Sequence, residues 1–121
     1  MGFFSRLFAK PFETVSVARA QELLGEGAVL VDVRTPQEYS AGHATQARHI
    51  PLDAIERRVR ELRPDTAVVT VCKSGVRSAH AARMLAAHGF TVATIRGGMF
   101  AWQRAGATVV AKGGRAGRIL W

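Results

Sequence analysis

The chain has 121 residues, the length of one domain that can bury one hydrophobic core. Its 48% hydrophobic and 21% charged residues are globular composition and exclude a disordered chain, and no apolar run approaches the ~18–20 residues of a membrane span. Lys and Arg total 17 against 9 Asp and Glu; the net charge of +8 attracts anions without choosing among oxyanions, acidic proteins, anionic lipid and nucleic acid, while the single cysteine excludes an intrachain disulfide and a four-thiolate zinc site.

Residues 1–13 form an aromatic and basic arm, in which Phe3, Phe4, Leu7 and Phe8 fall at helical spacing around Arg6 and Lys10. The arm is too short and interrupted for a signal peptide, and Arg6 breaks the myristoylation pattern. It reads as a short helix docked on the domain or as a mobile arm, ahead of contact with a membrane surface or a partner. Thr14-Val15-Ser16 suits an edge strand, and Ser16 can cap a helix over 17–24 that ends at Gly25 or Gly27. Ala28 to Val33 (AVLVDV) suits a strand buried on both faces. Thr35, Pro36 and Glu38 make a capping box for a short helix stopped near Gly42. Ile55, Val59 and Leu62 mark one face of a helix over 53–62. Ala67 to Val71 is a second buried strand, with Cys72 at its carboxyl end. An Ala-rich helix over 78–88, a strand over 91–95, a Gly97-Gly98 turn and a helix over 99–104 complete a domain of 14–106. Residues 107–121 form a basic Gly- and Arg-rich tail, flexible over 112–118, whose Ile119-Leu120-Trp121 end can dock back. The alternation of strands and helices predicts an α/β fold with a mostly parallel sheet, in which ligands bind beyond the carboxyl ends of the strands.

Cys72 stands at such an end and opens the run Cys72-Lys73-Ser74-Gly75-Val76-Arg77-Ser78 before the Ala-rich helix. A thiolate is the nucleophile, and a free thiol at neutral pH is mostly protonated. Loop amides and a helix N-terminus favour an anion. Lys73 and Arg77 add positive charge, Gly75 permits a tight turn, and Ser74 and Ser78 offer hydroxyls. These residues favour negative charge on the sulfur or an anion beside it.

The motifs Val31-Asp32-Val33-Arg34, Glu38-Tyr39, Gly42-His43, Ile50-Pro51-Leu52, Cys72 through Ser78, and Gly97-Gly98 with Trp102 occur in the order found in the rhodanese-like family, which this chain resembles over 14–106. The resemblance implies a central, mostly parallel five-stranded sheet flanked by helices, and a loop cysteine that becomes a persulfide. It implies Cys72 as the catalytic sulfur carrier, with Lys73, Ser74, Gly75, Val76, Arg77 and Ser78 binding substrate. Asp32 and Arg34 fall near the mouth, where an ion pair or hydrogen bonds would support the loop. Glu38 is explained by capping, and His43 by satisfying backbone groups in a turn. After Gly42-His43 the family usually continues with an apolar residue, then Pro or Gly, then Gly-Ala; here Ala44-Thr45-Gln46-Ala47 stands instead, so the turn chemistry differs.

The implied activity moves sulfane sulfur from thiosulfate or a protein persulfide to cyanide or a thiol. With no second cysteine, the acceptor comes from outside the chain. No prosthetic group is required, and His49, His80 and His88 lack partners at metal-ligand spacing. Related cysteine phosphatases place five residues between Cys and Arg; four intervene here, which ranks sulfur transfer first. A non-enzymatic binding or sulfur-carrier module is the second reading. Nucleic-acid binding is not expected, because aromatic residues are 7% of the chain and no recognition motif is present. A lone reactive thiol without an export signal predicts a cytoplasmic location.

Overall fold

The computed structural model describes residues 11–120, so most of the aromatic arm and Trp121 lie outside the described residues. β1 (Glu13–Val15) leads to Ser16, whose hydroxyl accepts the N–H of Arg19 and caps α1 (Val17–Gly25). Beyond α1, Gly27 turns the chain at φ 109° into β2 (Val29–Asp32). The capping box is complete: Thr35 Oγ1 accepts from the Glu38 N–H, the Glu38 carboxylate accepts from the Thr35 N–H, and α2 (Pro36–Ala41) follows. Two short strands, β3 (His43–Ala44) and β4 (Arg48–His49), precede α3 (Ile55–Arg58). Then come β5 (Val68–Val71), α4 (Val76–Ala87), β6 (Val92–Ile95), α5 (Gly98–Arg104) and β7 (Val109–Val110).

The main sheet has the order β1-β6-β5-β2-β4, and each neighbouring pair is parallel. All its carboxyl ends therefore share one edge, with β5 at the centre. Every residue of β5 and β6 is buried, which is why both read as continuous apolar runs. Alternation sends Val31, Val33, Val68 and Val92 to the layer with Ile55 and Leu85. Leu30, Val69, Val71 and Ile95 meet Ala20, Met99 and Trp102 on the other face.

One expectation is corrected, and the tail gains contacts that its composition does not announce. The helix over 53–62 is three successive turns: a 3-10 turn at Leu52–Ala54, α3, and a 3-10 turn at Val59–Glu61. None of the three has a side-chain cap, and the tighter turns bring Ala54, Ile55 and Leu62 into the core together. The segment over 112–118, largely exposed, is hydrogen-bonded back to the domain at its end and flanked by packed residues. β7 pairs antiparallel with β3, the Arg118 N–H donates to Ala41 O at 2.9 Å, and Ile119 is buried beside Trp102. Gly42, expected as a helix stop, admits this segment: a Cβ there would lie 2.2 Å from Arg118 O.

Candidate active site

Cys72 directly follows the central strand β5, and its side chain is buried. Its Sγ accepts the N–H of Gly75 at 3.0 Å. Gly75 has φ 126°, a backbone that L side chains resist, and it brings the loop round into α4 within three residues of the sulfur. The carbonyls of Cys72 and Lys73 accept the N–H groups of Met99 (2.8 Å) and Phe100 (3.3 Å), in the first turn of α5. In a planar trans peptide the next N–H points opposite to the carbonyl. The amides of Lys73 and Ser74 are thus turned away from α5. Gly98 makes this contact possible, since a Cβ there would lie 2.4 Å from Cys72 O and 2.5 Å from Lys73 O. The Gly97-Gly98 pair, read from sequence as a turn, also clamps the cysteine loop.

Arg77, on the first turn of α4, does not point a free fork into the loop. Its Nη1 and Nη2 donate to the Glu38 carboxylate at 2.6 and 2.9 Å. Glu38 therefore does more than cap α2: it ties α2 to the start of α4 across the mouth of the site. The Arg77 hydrogen bonds hold its carboxyl at about 2, from an ordinary 4.5, against the opposing effect of burial. Glu38 in turn pushes the Arg77 guanidinium further up, so it stays cationic beside Cys72.

The resemblance implies that Ser78 binds substrate, but its hydroxyl is taken up inside the fold. Ser78 is buried, and its Oγ donates to Gly75 O at 3.1 Å while accepting from Thr94 Oγ1 at 2.9 Å. Thr70 Oγ1 donates to Ser78 O at 2.9 Å. This network joins β5, β6, α4 and the loop. Thr70 and Thr94 were missed in the sequence, where the only signal is a lone hydroxyl in each buried strand. Lys73 is half-buried, Ser74 is exposed, and Val76 at the helix start is 79% exposed.

Asp32 and Arg34 form a fully buried pair at 2.7 Å, and Arg34 Nη2 also donates to Gly42 O at 2.7 Å. Residues i and i+2 of an extended strand share a face, which lets the two side chains meet. Neither reaches the loop. They lock the chain after β2 to the start of β3, beside the mouth. His43 behaves as the sequence suggests: its Nδ1 lies 2.6 Å from Tyr39 O, which can only accept, so Nδ1 carries the proton. His49 was missed. Its Nε2 donates to Arg34 O at 2.7 Å, and both imidazoles stack on Tyr39, with centroids at 3.8 and 4.3 Å. Burial pushes the Tyr39 phenol up, and its hydroxyl donates to Ala47 O. Among the described residues no cluster of three or more His, Cys, Asp or Glu could hold a metal, and no helix is long and apolar enough to cross a membrane.

These features define an α/β domain whose central parallel strand delivers a cysteine into an amide-rimmed loop. The family model described as rhodanese-like domain matches residues 16–105, and the chain belongs to that family. Solved structures agree. A rhodanese-related protein from Thermoplasma volcanium is 26% identical, with a TM-score of 0.77, over 84% of this chain and 100% of its own. The thiosulfate sulfurtransferase of Pseudomonas aeruginosa is 28% identical, with a TM-score of 0.76, over 90% of this chain. The reduced CoADR-RHD of Bacillus anthracis is 31% identical, with a TM-score of 0.72, over 81% of this chain. This chain spans only 22% and 18% of those last two proteins.

Proposed function

We propose that this domain is a sulfurtransferase that carries sulfane sulfur as a persulfide on Cys72, taking it from thiosulfate or a protein persulfide and passing it to a thiol or cyanide. The observation that carries this reading is the loop itself. Cys72 Sγ receives the Gly75 N–H, while the carbonyls of Cys72 and Lys73 are drawn to α5, which turns the amides of Lys73 and Ser74 away from that helix. In the first step the Cys72 thiolate attacks the outer sulfur of thiosulfate, the S–S bond breaks, and sulfite leaves with the electron pair. In the second, an acceptor thiolate or cyanide attacks the outer sulfur of the persulfide, and the Cys72 thiolate is the leaving group. Net oxidation state is conserved and no cofactor enters. Lys73 supplies a point charge at the rim that attracts the dianionic donor; Arg77, fixed by Glu38, holds the start of α4 and keeps a positive charge near the sulfur. We place this activity in the cytoplasm, where a thiol stays reduced.

The test is intact mass after thiosulfate treatment. The expected result is a gain of one sulfur atom that cyanide removes, absent in Cys72→Ser, with circular dichroism of the variant unchanged. Sulfur transfer retained by Cys72→Ser would overturn the mechanism.

A further inference from the structure

Beside the sulfur loop lies an open groove of about 490 Å3, walled by Val33, Pro36, Pro51, Leu52 and Met84, with Arg77 of the loop on its edge. One residue before Arg77, Val76 is the one exposed large hydrophobic among the described residues. An apolar centre inside a polar rim is the anatomy of a protein interface. The unbranched thioether of Met84 lets such a surface adapt to an inserted side chain.

The rim favours one sign of partner. Arg77 and His80 line the groove, Lys73 stands in the adjoining loop, and the exposed Arg57, one turn beyond Asp53, donates to Asp53 O at 3.4 Å. Arg77 and Glu38 neutralise each other in their two-pronged pair, so the surplus at the rim comes from Lys73 and Arg57 against Asp53, the one carboxylate among the lining residues. The whole chain carries +8. Charge complementarity of this kind steers an acidic partner in and turns a basic one away. The groove has no Phe, Tyr or Trp to stack a base, and a small hydrophilic thiol would leave its apolar walls unused.

We propose that this groove docks an acidic protein that presents its own cysteine to Cys72 and seats a neighbouring apolar side chain between the first turns of α4 and the turn after β4. The inference rests on the sulfur-transfer reading, and it names the macromolecular thiol that takes or supplies the sulfur. On docking, the partner thiolate attacks the outer sulfur of the Cys72 persulfide, the S–S bond to Cys72 breaks, and the persulfide continues on the partner. The reverse sequence loads Cys72.

The experiment uses a twelve-residue peptide with one cysteine, two leucines and four glutamates, a twin with lysines for the glutamates, and a twin with serines for the leucines. Sulfur transfer from the thiosulfate-loaded full chain is followed by mass. We expect the acidic peptide to accept sulfur about tenfold faster than either twin at low salt, with the charge-dependent part of the advantage shrinking as salt rises. Met84→Glu and His80→Glu, both at partly or fully exposed positions, should each remove most of that advantage while cyanide discharge stays within about twofold. Equal rates for the three peptides, or variants that leave the preference intact, would overturn the proposal. A rise in peptide transfer on Phe3→Ser with Phe4→Ser would also overturn it, by making the chain's own N-terminus the occupant. Binding of a cysteine-to-serine acidic peptide to the unloaded chain, read by fluorescence anisotropy, separates the two hypotheses. Peptide binding without sulfur loading would remove the sulfurtransferase reading and leave the surface standing. Loading without peptide binding would do the opposite.

Discussion

The Glu38 carboxylate lies between two structures that the chain builds separately, the capping box of α2 and the start of α4 behind the cysteine loop. Its side chain is only 15% exposed, and both fork nitrogens of Arg77 are on it. Glu38→Gln keeps the size and one acceptor but removes the charge that aligns the guanidinium. We expect kcat and kcat/KM for thiosulfate to fall together by about ten- to hundredfold, since a small displacement near reacting atoms is costly. Stability should carry a matching signature. The native carboxyl is held at about 2, below its ordinary 4.5, so the stabilisation is complete above the unfolded value and is lost as pH falls through the native one. Its size is on the order of 2 kcal/mol once partial solvent screening is allowed for. Urea midpoints measured from about pH 5 to pH 2 should fall less steeply in Glu38→Gln than in the parent chain. Asp32 gives a harsher case. Removing it leaves Arg34 buried and uncompensated, with Nη1 already lacking a hydrogen-bond partner among the described residues. Asp32→Ala should cost about 3–5 kcal/mol in a urea titration, and a paired Arg34→Met change should recover part of that loss.

The cysteine loop owes its shape to two helix N-termini. α4 continues from it directly, and α5 approaches from the side to receive the Cys72 and Lys73 carbonyls. This second helix has no side-chain cap at Gly97; the loop carbonyls take the place of one. Gly98 is where the two meet, at φ 57° and without room for a methyl. Gly98→Ala should therefore push the loop and α5 apart, lowering stability by about 1–3 kcal/mol and sulfur transfer by at least about tenfold. Thermal denaturation and thiosulfate:cyanide kinetics on one preparation check both. A variant with full activity would show that the loop holds its shape without α5. The Thr70, Thr94 and Ser78 hydroxyls serve the same end from below, replacing apolar side chains with hydrogen bonds that fix α4 against β5 and β6.

The domain is closed by residues far apart in the chain. Val109-Val110 pairs with His43-Ala44, and Ile119 fills the layer around Trp102, whose Nε1 donates to Thr108 O at 3.1 Å. Ile119 is thus part of the core, and the segment before it crosses Gly42, whose carbonyl accepts from Arg34. Ile119→Ala should lower stability by about 2–3 kcal/mol with the persulfide chemistry of the folded protein retained, measured by unfolding and by sulfur loading well below the melting range. A loss within a few tenths would show that the segment contributes little to the folded state.

Local chemistry was written plainly in the sequence. The capping box at Thr35 and Glu38, the doubly buried strands, Gly75 ahead of α4, and a cysteine at a strand end each depend on residues within a few positions, so spacing and residue type suffice to read them. Assembly between distant segments was not legible. Nothing near Glu38 announces Arg77, 39 residues on, and Ser78 reads as an open donor until Gly75 O and Thr94 are seen beside it. A Gly- and Arg-rich stretch reads as mobile, because composition records what a segment can do alone. The ends of this stretch meet what lies across from them: Val109-Val110 on the β3 edge before it, and Arg118 on the Ala41 carbonyl, past a glycine small enough to let the chain pass. The sequence by itself determined strands β1, β2, β5 and β6, the caps at Ser16 and Thr35 and the cysteine at the end of a strand, but not the two-residue strands β3, β4 and β7, which only pairing defines. That Glu38 pairs with Arg77, which hydroxyls are taken and where the tail rests were decided only in the tertiary structure, because those contacts exist only once packing brings segments distant in sequence within hydrogen-bonding reach.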